Sequence, residues 1–160
     1  MSLTILPALD RPQEIAALFT EYTELLIAGD PAFRAYLALQ RYDEELLHLG
    51  AKYGPPHGRL YLALIDGETA GCIGLRRIDE ARCEMKRLYV RPAYRGRGAG
   101  TALCHRVIDD ARQIGYRSML LDTLPFLDAA IRLYRRLGFE DIPCYNDSPM
   151  RDAVYMRLIL

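Results

Sequence analysis

The stretch Arg95-Gly96-Arg97-Gly98-Ala99-Gly100-Thr101 constrains this chain more than any other. Its three glycines strip side chains from one patch of backbone, so the N–H groups there can approach a ligand closely. An apolar, alternating run ending at Val90 precedes it, and a helical pattern begins near Gly98. That helix aims the positive end of its dipole at the same patch. The combination predicts an anion cradle, most naturally for a phosphate or pyrophosphate. Arg91, Arg95 and Arg97 place permanent positive charge around it.

The 160 residues fit one domain, 1–160, and an apolar content of 51% suffices for a real core. A formal net charge of zero argues against a general nucleic-acid binder or a protein held on anionic membranes. The N-terminus lacks a basic region followed by a long apolar run, and no apolar stretch approaches the roughly 18–20 residues of a membrane span. A cytoplasmic protein without membrane or nucleic-acid partners is expected. Cys72, Cys83, Cys104 and Cys144 show no paired short spacing and do not cluster with His48, His57 or His105, so buried thiols and no metal are expected.

In chain order, Leu3 to Ala8 reads as a first strand. Asp10 is placed as an N-cap, with Pro12 in the first turn of a helix whose apolar positions run from Ile15 to Leu26. Gly29-Asp30-Pro31 breaks it. A second helix is expected through Tyr36, Leu39, Leu46 and Leu49, stopping at Gly50, with a loop over 52–58. Leu60 to Ile65, Asp66-Gly67 and Thr69 to Leu75 predict a hairpin. Cys83 to Val90 predicts a third strand of that sheet. Strict alternation puts Cys83, Met85 and Tyr89 on one face and Glu84, Lys86, Leu88 and Val90 on the other, a mixed face unsuited to burial on both sides. After the glycines come a helix closed by Gly115, a strand over Ser118–Thr123, a helix carrying Ala130 to Leu137 and closed by Gly138, a loop over Pro143–Pro149, and a strand from Val154 to Leu160.

A nucleotide P-loop needs Gly-Lys-Ser/Thr after its glycines, and Gly100-Thr101 has no lysine. A dinucleotide fingerprint fits Gly96 and Gly98, and Asp122 could supply its ribose acid. Its third glycine position is Thr101, however, and Arg91 to Arg95 make the turn too long. The third pattern is Arg-x-x-Gly-x-Gly, filled by Arg95, Gly98 and Gly100 and preceded by Leu88-Tyr89-Val90-Arg91-Pro92. With the stretch Ala130 to Phe139 and its Tyr134, it resembles the acetyl-CoA motifs of the GNAT superfamily of N-acetyltransferases. The order of elements is similar to theirs as well.

The resemblance implies an α/β fold, a mixed central sheet flanked by helices with one splayed pair of parallel strands. It implies that acetyl-CoA is the co-substrate, its pyrophosphate on the N–H groups of Arg95, Gly96, Arg97, Gly98, Ala99, Gly100 and Thr101. The pantetheine arm would lie between Glu84–Val90 and Ser118–Thr123, against the backbone of Leu88, Tyr89 and Val90, with the N–H near Leu88 as oxyanion donor. Glu84 resembles the glutamate that takes the amine proton in some members. It would serve equally as an ion-paired strand residue beside Lys86. Tyr134 matches the tyrosine that protonates the departing thiolate, and its place in the apolar stripe also suits a core residue. Leu127 stands where members often carry an asparagine against pantetheine. Tyr36, Tyr42, Asp43, Glu44, Tyr145 and Asn146 are candidates to line the acceptor pocket.

The expected activity is transfer of an acetyl group to a primary amine, small molecule or peptide, by direct attack in a ternary complex. A sensor that binds acyl-CoA without turnover is the alternative. A homodimer is compatible with either.

Overall fold

Asp66 and Gly67 both take positive φ, 50° and 83°. This is the two-residue turn whose twist matches a pair of antiparallel strands, here β2 (Arg59–Ile65) and β3 (Glu68–Arg77). The computed structural model describes residues 1–160 and builds a seven-stranded sheet outward from this hairpin. With β1 (Leu3–Pro7), β4 (Arg82–Val90), β5 (Ser118–Thr123), β6 (Glu140–Asp141) and β7 (Val154–Ile159), the order is β1-β2-β3-β4-β5-β7-β6. Every pair is antiparallel except β4 with β5.

Helices cover both faces. On one lie α5 (Ala99–Ile114) and α6 (Asp128–Arg136), whose Leu103, Val107, Leu133 and Tyr134 join Ile73, Leu75, Cys83 and Met119 in the largest apolar cluster. On the other lies α1 (Pro12–Gly29), which packs Ile15, Leu18 and Phe19 on Leu62 and Cys72. Arg11, not Asp10, occupies the N-cap of α1, and Pro12 opens the helix as expected. The single helix expected over 36–49 is three short ones: α2 (Phe33–Leu39), α3 (Tyr42–Leu47) and α4 (Leu49–Tyr53). Arg41 turns the chain with φ 56° and His48 ends α3, so Gly50 lies inside α4. The apolar spacing continues through these breaks, which hides them in the sequence. Cys72, Cys83 and Cys104 are buried as expected, whereas Cys144 is exposed.

Strand β4 departs from strict alternation. Opposite β3, Cys72 pairs with Tyr89 but Gly74 pairs with Lys86, so β4 carries one extra residue, and Arg87 takes φ 60°. This is a β-bulge. It flips the facing of everything after it. Leu88 and Val90 now join Cys83 and Met85 against α5, and Tyr89 moves to the α1 face. The strand is buried on both sides, with Glu84 2% and Lys86 7% exposed. A left-handed backbone at a non-glycine residue costs on the order of 1–3 kcal/mol. Arg87 is held there by two bonds to Glu45, at 2.9 and 3.0 Å, and one to Gln40 at 2.6 Å.

Candidate active site at the splayed strands

Strands β4 and β5 pair only over Arg82↔Ser118, Cys83↔Met119 and Glu84↔Leu120. Beyond that point β5 stays in register with β7 along its whole length, while β4 follows β3 through the bulge. The two strands therefore part. Arg91 donates its N–H to Ala70 of β3 at 2.8 Å. Strand alternation then directs the N–H groups of Leu88 and Val90 away from β3, into the opening. A narrow cavity lies in the splay, with Leu88, Lys86, Asp122, Leu127 and Tyr134 in its wall.

At one end of the opening, a single 3₁₀ turn (Pro92–Tyr94) leads into the glycine stretch. Gly96 and Gly98 take φ 78° and 85°, a region that L side chains rarely enter. The first backbone bond of α5 runs from Ala102 to the Gly98 carbonyl, and no side chain caps the helix. The N–H groups of Gly96, Arg97, Gly98, Ala99, Gly100 and Thr101 consequently have no acceptor within the protein. Six donors converge on a helix N-terminus, an arrangement that suits an anion. Arg95 donates to the Val90 carbonyl, and Arg97 lies 5.8 Å from the Tyr94 ring centre. Arg91 is turned aside by Glu21, at 2.8 Å, and contributes less to the cradle than its position in the sequence suggests.

Tyr134 is buried on α6 and lines the cavity, its ring 5.8 Å from that of Phe139. Burial holds its phenol well above the usual range, so it keeps its proton. Leu127 is the residue before α6 and presents an aliphatic wall.

Glu84 sits on the floor of a second, wider groove that adjoins the cavity at Tyr36, Gln40 and Lys86. Arg76 Nε donates to its Oε1 at 2.6 Å, the Tyr145 hydroxyl donates to Oε2 at 2.5 Å, and Lys86 Nζ lies 3.6 Å from Oε1. Burial alone would raise the pKa of this carboxyl. Lys86, Arg76 and Tyr145 outweigh it and bring the value down to about 2. The bland and the functional readings of Glu84 thus meet in one place: it is ion-paired, and it borders the groove.

Asp122 was visible in the sequence only as the acid of the rejected dinucleotide reading. It stands at the end of β5, accepting hydrogen bonds from the Tyr36 hydroxyl and from Asn146 Nδ2 at 2.9 Å. No cation pairs with it, which leaves a charged group in the cavity wall. Of the residues expected to line the acceptor pocket, Tyr36, Glu44 and Asn146 border the groove and Tyr145 caps Glu84. Tyr42 is instead packed on Arg87, and Asp43 faces a separate outer depression.

This geometry has relatives. A profile of the Acetyltransferase (GNAT) family matches residues 16–139. An uncharacterised N-acetyltransferase of Schizosaccharomyces pombe is 44% identical over 124 residues, 76% of each chain. Among solved structures, an acetyltransferase from Streptococcus agalactiae superposes with TM-score 0.75 at 22% identity, covering 99% of this chain and 98% of that one. The PaiA N-acetyltransferase of Thermoplasma acidophilum, solved with coenzyme A, reaches 0.76 at 16% identity with full coverage of both chains. With its one parallel strand pair parting beside a glycine-rich helix start, this chain belongs to the GNAT family of acetyltransferases.

Proposed function

We propose that the protein transfers the acetyl group of acetyl-CoA to a primary amine by direct attack in a ternary complex. The observation that carries this reading is the continuity of the cradle with the splay. That continuity is in the chain: β4, one wall of the opening at Leu88, ends at Val90 and leads through one 3₁₀ turn into the six unbonded N–H groups. A pyrophosphate fits the cradle, because open space surrounds Gly96 and Gly98 where side chains would project. An extended pantetheine arm fits the opening, where β4 offers the backbone donors that β5 no longer uses.

Each residue then has a task. Leu88 N–H holds the carbonyl oxygen that gains negative charge as the amine nitrogen bonds to the thioester carbon. Tyr134, a neutral phenol in an apolar wall, donates its proton toward the sulfur as the carbon–sulfur bond breaks. Glu84, ionised at every working pH, orients the groove water that takes the amine proton. With so low a proton affinity it does not retain the proton itself. The excess proton passes to solvent.

The test is acetyl-CoA binding by calorimetry together with free-thiol release over a panel of amines, amino acids and peptide N-termini. Binding with amine-dependent thiol release is the expected result. Binding without release from any acceptor would instead identify a sensor of acyl-CoA.

A further inference from the structure

Lys86 and Asp122 each lie two residues past the last paired positions of their strands, Glu84 and Leu120. Directly paired residues of parallel strands share a face, and so do residues two apart. Lys86 and Asp122 therefore stand across the opening from one another, on the face covered by α1 and α2. Both line the cavity that holds Leu88 and Tyr134. They form no ion pair with each other, so the opening keeps them apart.

Each has charge to spare. The Lys86 side chain is 6% exposed, and its one ion pair is with Glu84 at 3.6 Å, too long for a hydrogen bond. Glu84 takes its hydrogen bonds from Arg76 at 2.6 Å and Tyr145 at 2.5 Å, so Lys86 acts on it through charge alone and keeps its donors. The Lys86 ammonium keeps three donors for a ligand where the cavity meets the groove. Asp122 has only neutral partners, Tyr36 and Asn146. Arg87, the third charged residue in the wall, is consumed by Glu45. What remains is one cation and one anion in an otherwise largely apolar cavity, and Leu26, Phe33, Leu124 and Met150 line the side toward α1 and α2.

We propose that the acceptor is an α-amino acid or a close amino-carboxylate, its ammonium held by Asp122 and its carboxylate by Lys86. This rests on the acetyltransfer reading above and names its substrate class. The ammonium loses one proton to water and attacks the thioester carbon. The carbon–nitrogen bond forms and the carbon–sulfur bond breaks. The second nitrogen proton balances the one taken up by sulfur, leaving an N-acetyl amino acid, a free thiol and one proton in solvent. The product carries a carboxylate but no ammonium, so it keeps Lys86 and loses its hold on Asp122, which favours release.

Leucine, leucinamide and 3-methylbutylamine share one apolar substituent and differ at the carboxylate, and each is offered with acetyl-CoA while thiol is measured. Leucine is expected to exceed 3-methylbutylamine in kcat/KM by about 10²-fold or more, as a site built around a polar group rejects the analogue that lacks it. Leucinamide should fall with the plain amine. Lys86→Met should collapse the leucine preference to below tenfold, and Lys86→Arg should keep most of it. Asp122→Asn should lower leucine and 3-methylbutylamine together, because both present an ammonium. Equal use of leucine and the plain amine overturns the proposal, as does a preference that survives Lys86→Met. If Lys86→Met does not fold, the wild-type ratio decides alone. Thiol release with carboxylate-free amines only would sink this proposal and leave acetyltransfer standing. Binding of acetyl-CoA with no release from any acceptor would sink both.

Discussion

The Tyr145 hydroxyl donates to Glu84 Oε2 at 2.5 Å, tying the loop before β7 to the middle of β4. Burial and the neighbouring Glu84 charge push the Tyr145 phenol far up, so it remains a donor throughout. Arg76 holds the other carboxylate oxygen. Glu84 is thus fixed at both oxygens, as a group that orders water beside the acceptor must be.

Replacing Glu84 by Gln separates its two roles. Breaking a buried ion pair on one side costs roughly 3–5 kcal/mol, so the melting temperature should fall. Below that temperature, kcat/KM should drop by about 10²–10⁴ if Glu84 assists proton removal. The deficit should shrink as pH rises and the amine sheds its own proton. A pH–rate profile parallel to wild type at all pH values would assign Glu84 to structure alone.

Acid stability follows from two buried carboxylates. Glu45 is opposed by burial but stabilised by Arg87 and Lys52, and its pKa falls from 4.5 to about 2. Glu84 falls from 4.5 to about 2 as well. A carboxyl whose folded value lies below its unfolded value contributes stability above the unfolded pKa and loses it as pH drops through the folded one. The urea midpoint should therefore be flat from neutral pH to about 5.5 and decline between about 4.5 and 2. Glu45→Gln should be less stable at neutral pH, and its gap from wild type should close across that window. A gap that stays constant down to pH 2 would contradict the assignment.

Gly98 and Gly100 should behave differently when replaced by Ala. A side chain at Gly98 meets no protein atom, but φ 85° strains any L residue there, by roughly 1–2 kcal/mol. It would also project into the space in front of the cradle. Gly98→Ala should lower stability modestly and weaken acetyl-CoA binding at least tenfold. Gly100 lies within α5, and an added Cβ would rest in ordinary contact with Leu133 at 3.6 Å and Val90 at 3.8 Å. Gly100→Ala should fold at least as stably, since Ala gains roughly 1 kcal/mol over Gly in a helix. Differential melting with calorimetry of both variants checks the contrast. Equal losses of affinity would show that Gly100 also borders the phosphate.

What the sequence made legible was local. Glycines announce the cradle, Asp66-Gly67 announces the hairpin, and the glycines at 115 and 138 close their helices, because each residue's own conformational needs declare it. The bulge at Arg87 and the turn at Arg41 carry no such sign: both put arginine in a left-handed conformation, which bonds to Glu45 and Gln40 sustain at Arg87. Alternation through Arg87 therefore assigned Leu88, Tyr89 and Val90 to the wrong faces. Asp122 was hidden for a related reason. Its partners Tyr36 and Asn146 lie 86 and 24 residues away, and only the assembled sheet brings them together.

Tyr134 offers the sharpest chemical test. Its ring packs against Phe139 in the main core, and its hydroxyl makes no hydrogen bond within the protein. Tyr134→Phe therefore removes no internal partner and should shift the melting temperature by little. If the phenol assists the departing sulfur, the loss falls on the transition state and not on cofactor binding. Acetyl-CoA affinity should stay within a few-fold of wild type while kcat falls by roughly 10–10³. The burial that raises the phenol's pKa also predicts that it acts as a hydrogen-bond donor across the working pH range, so the deficit should not vary with pH below about 9. A thioester with a more acidic thiol should recover part of the rate, since its leaving group needs less help. An unchanged kcat, with the chemical step shown to be rate-limiting, would remove Tyr134 from the mechanism and leave it to the core. An equal deficit with both thioesters would do the same.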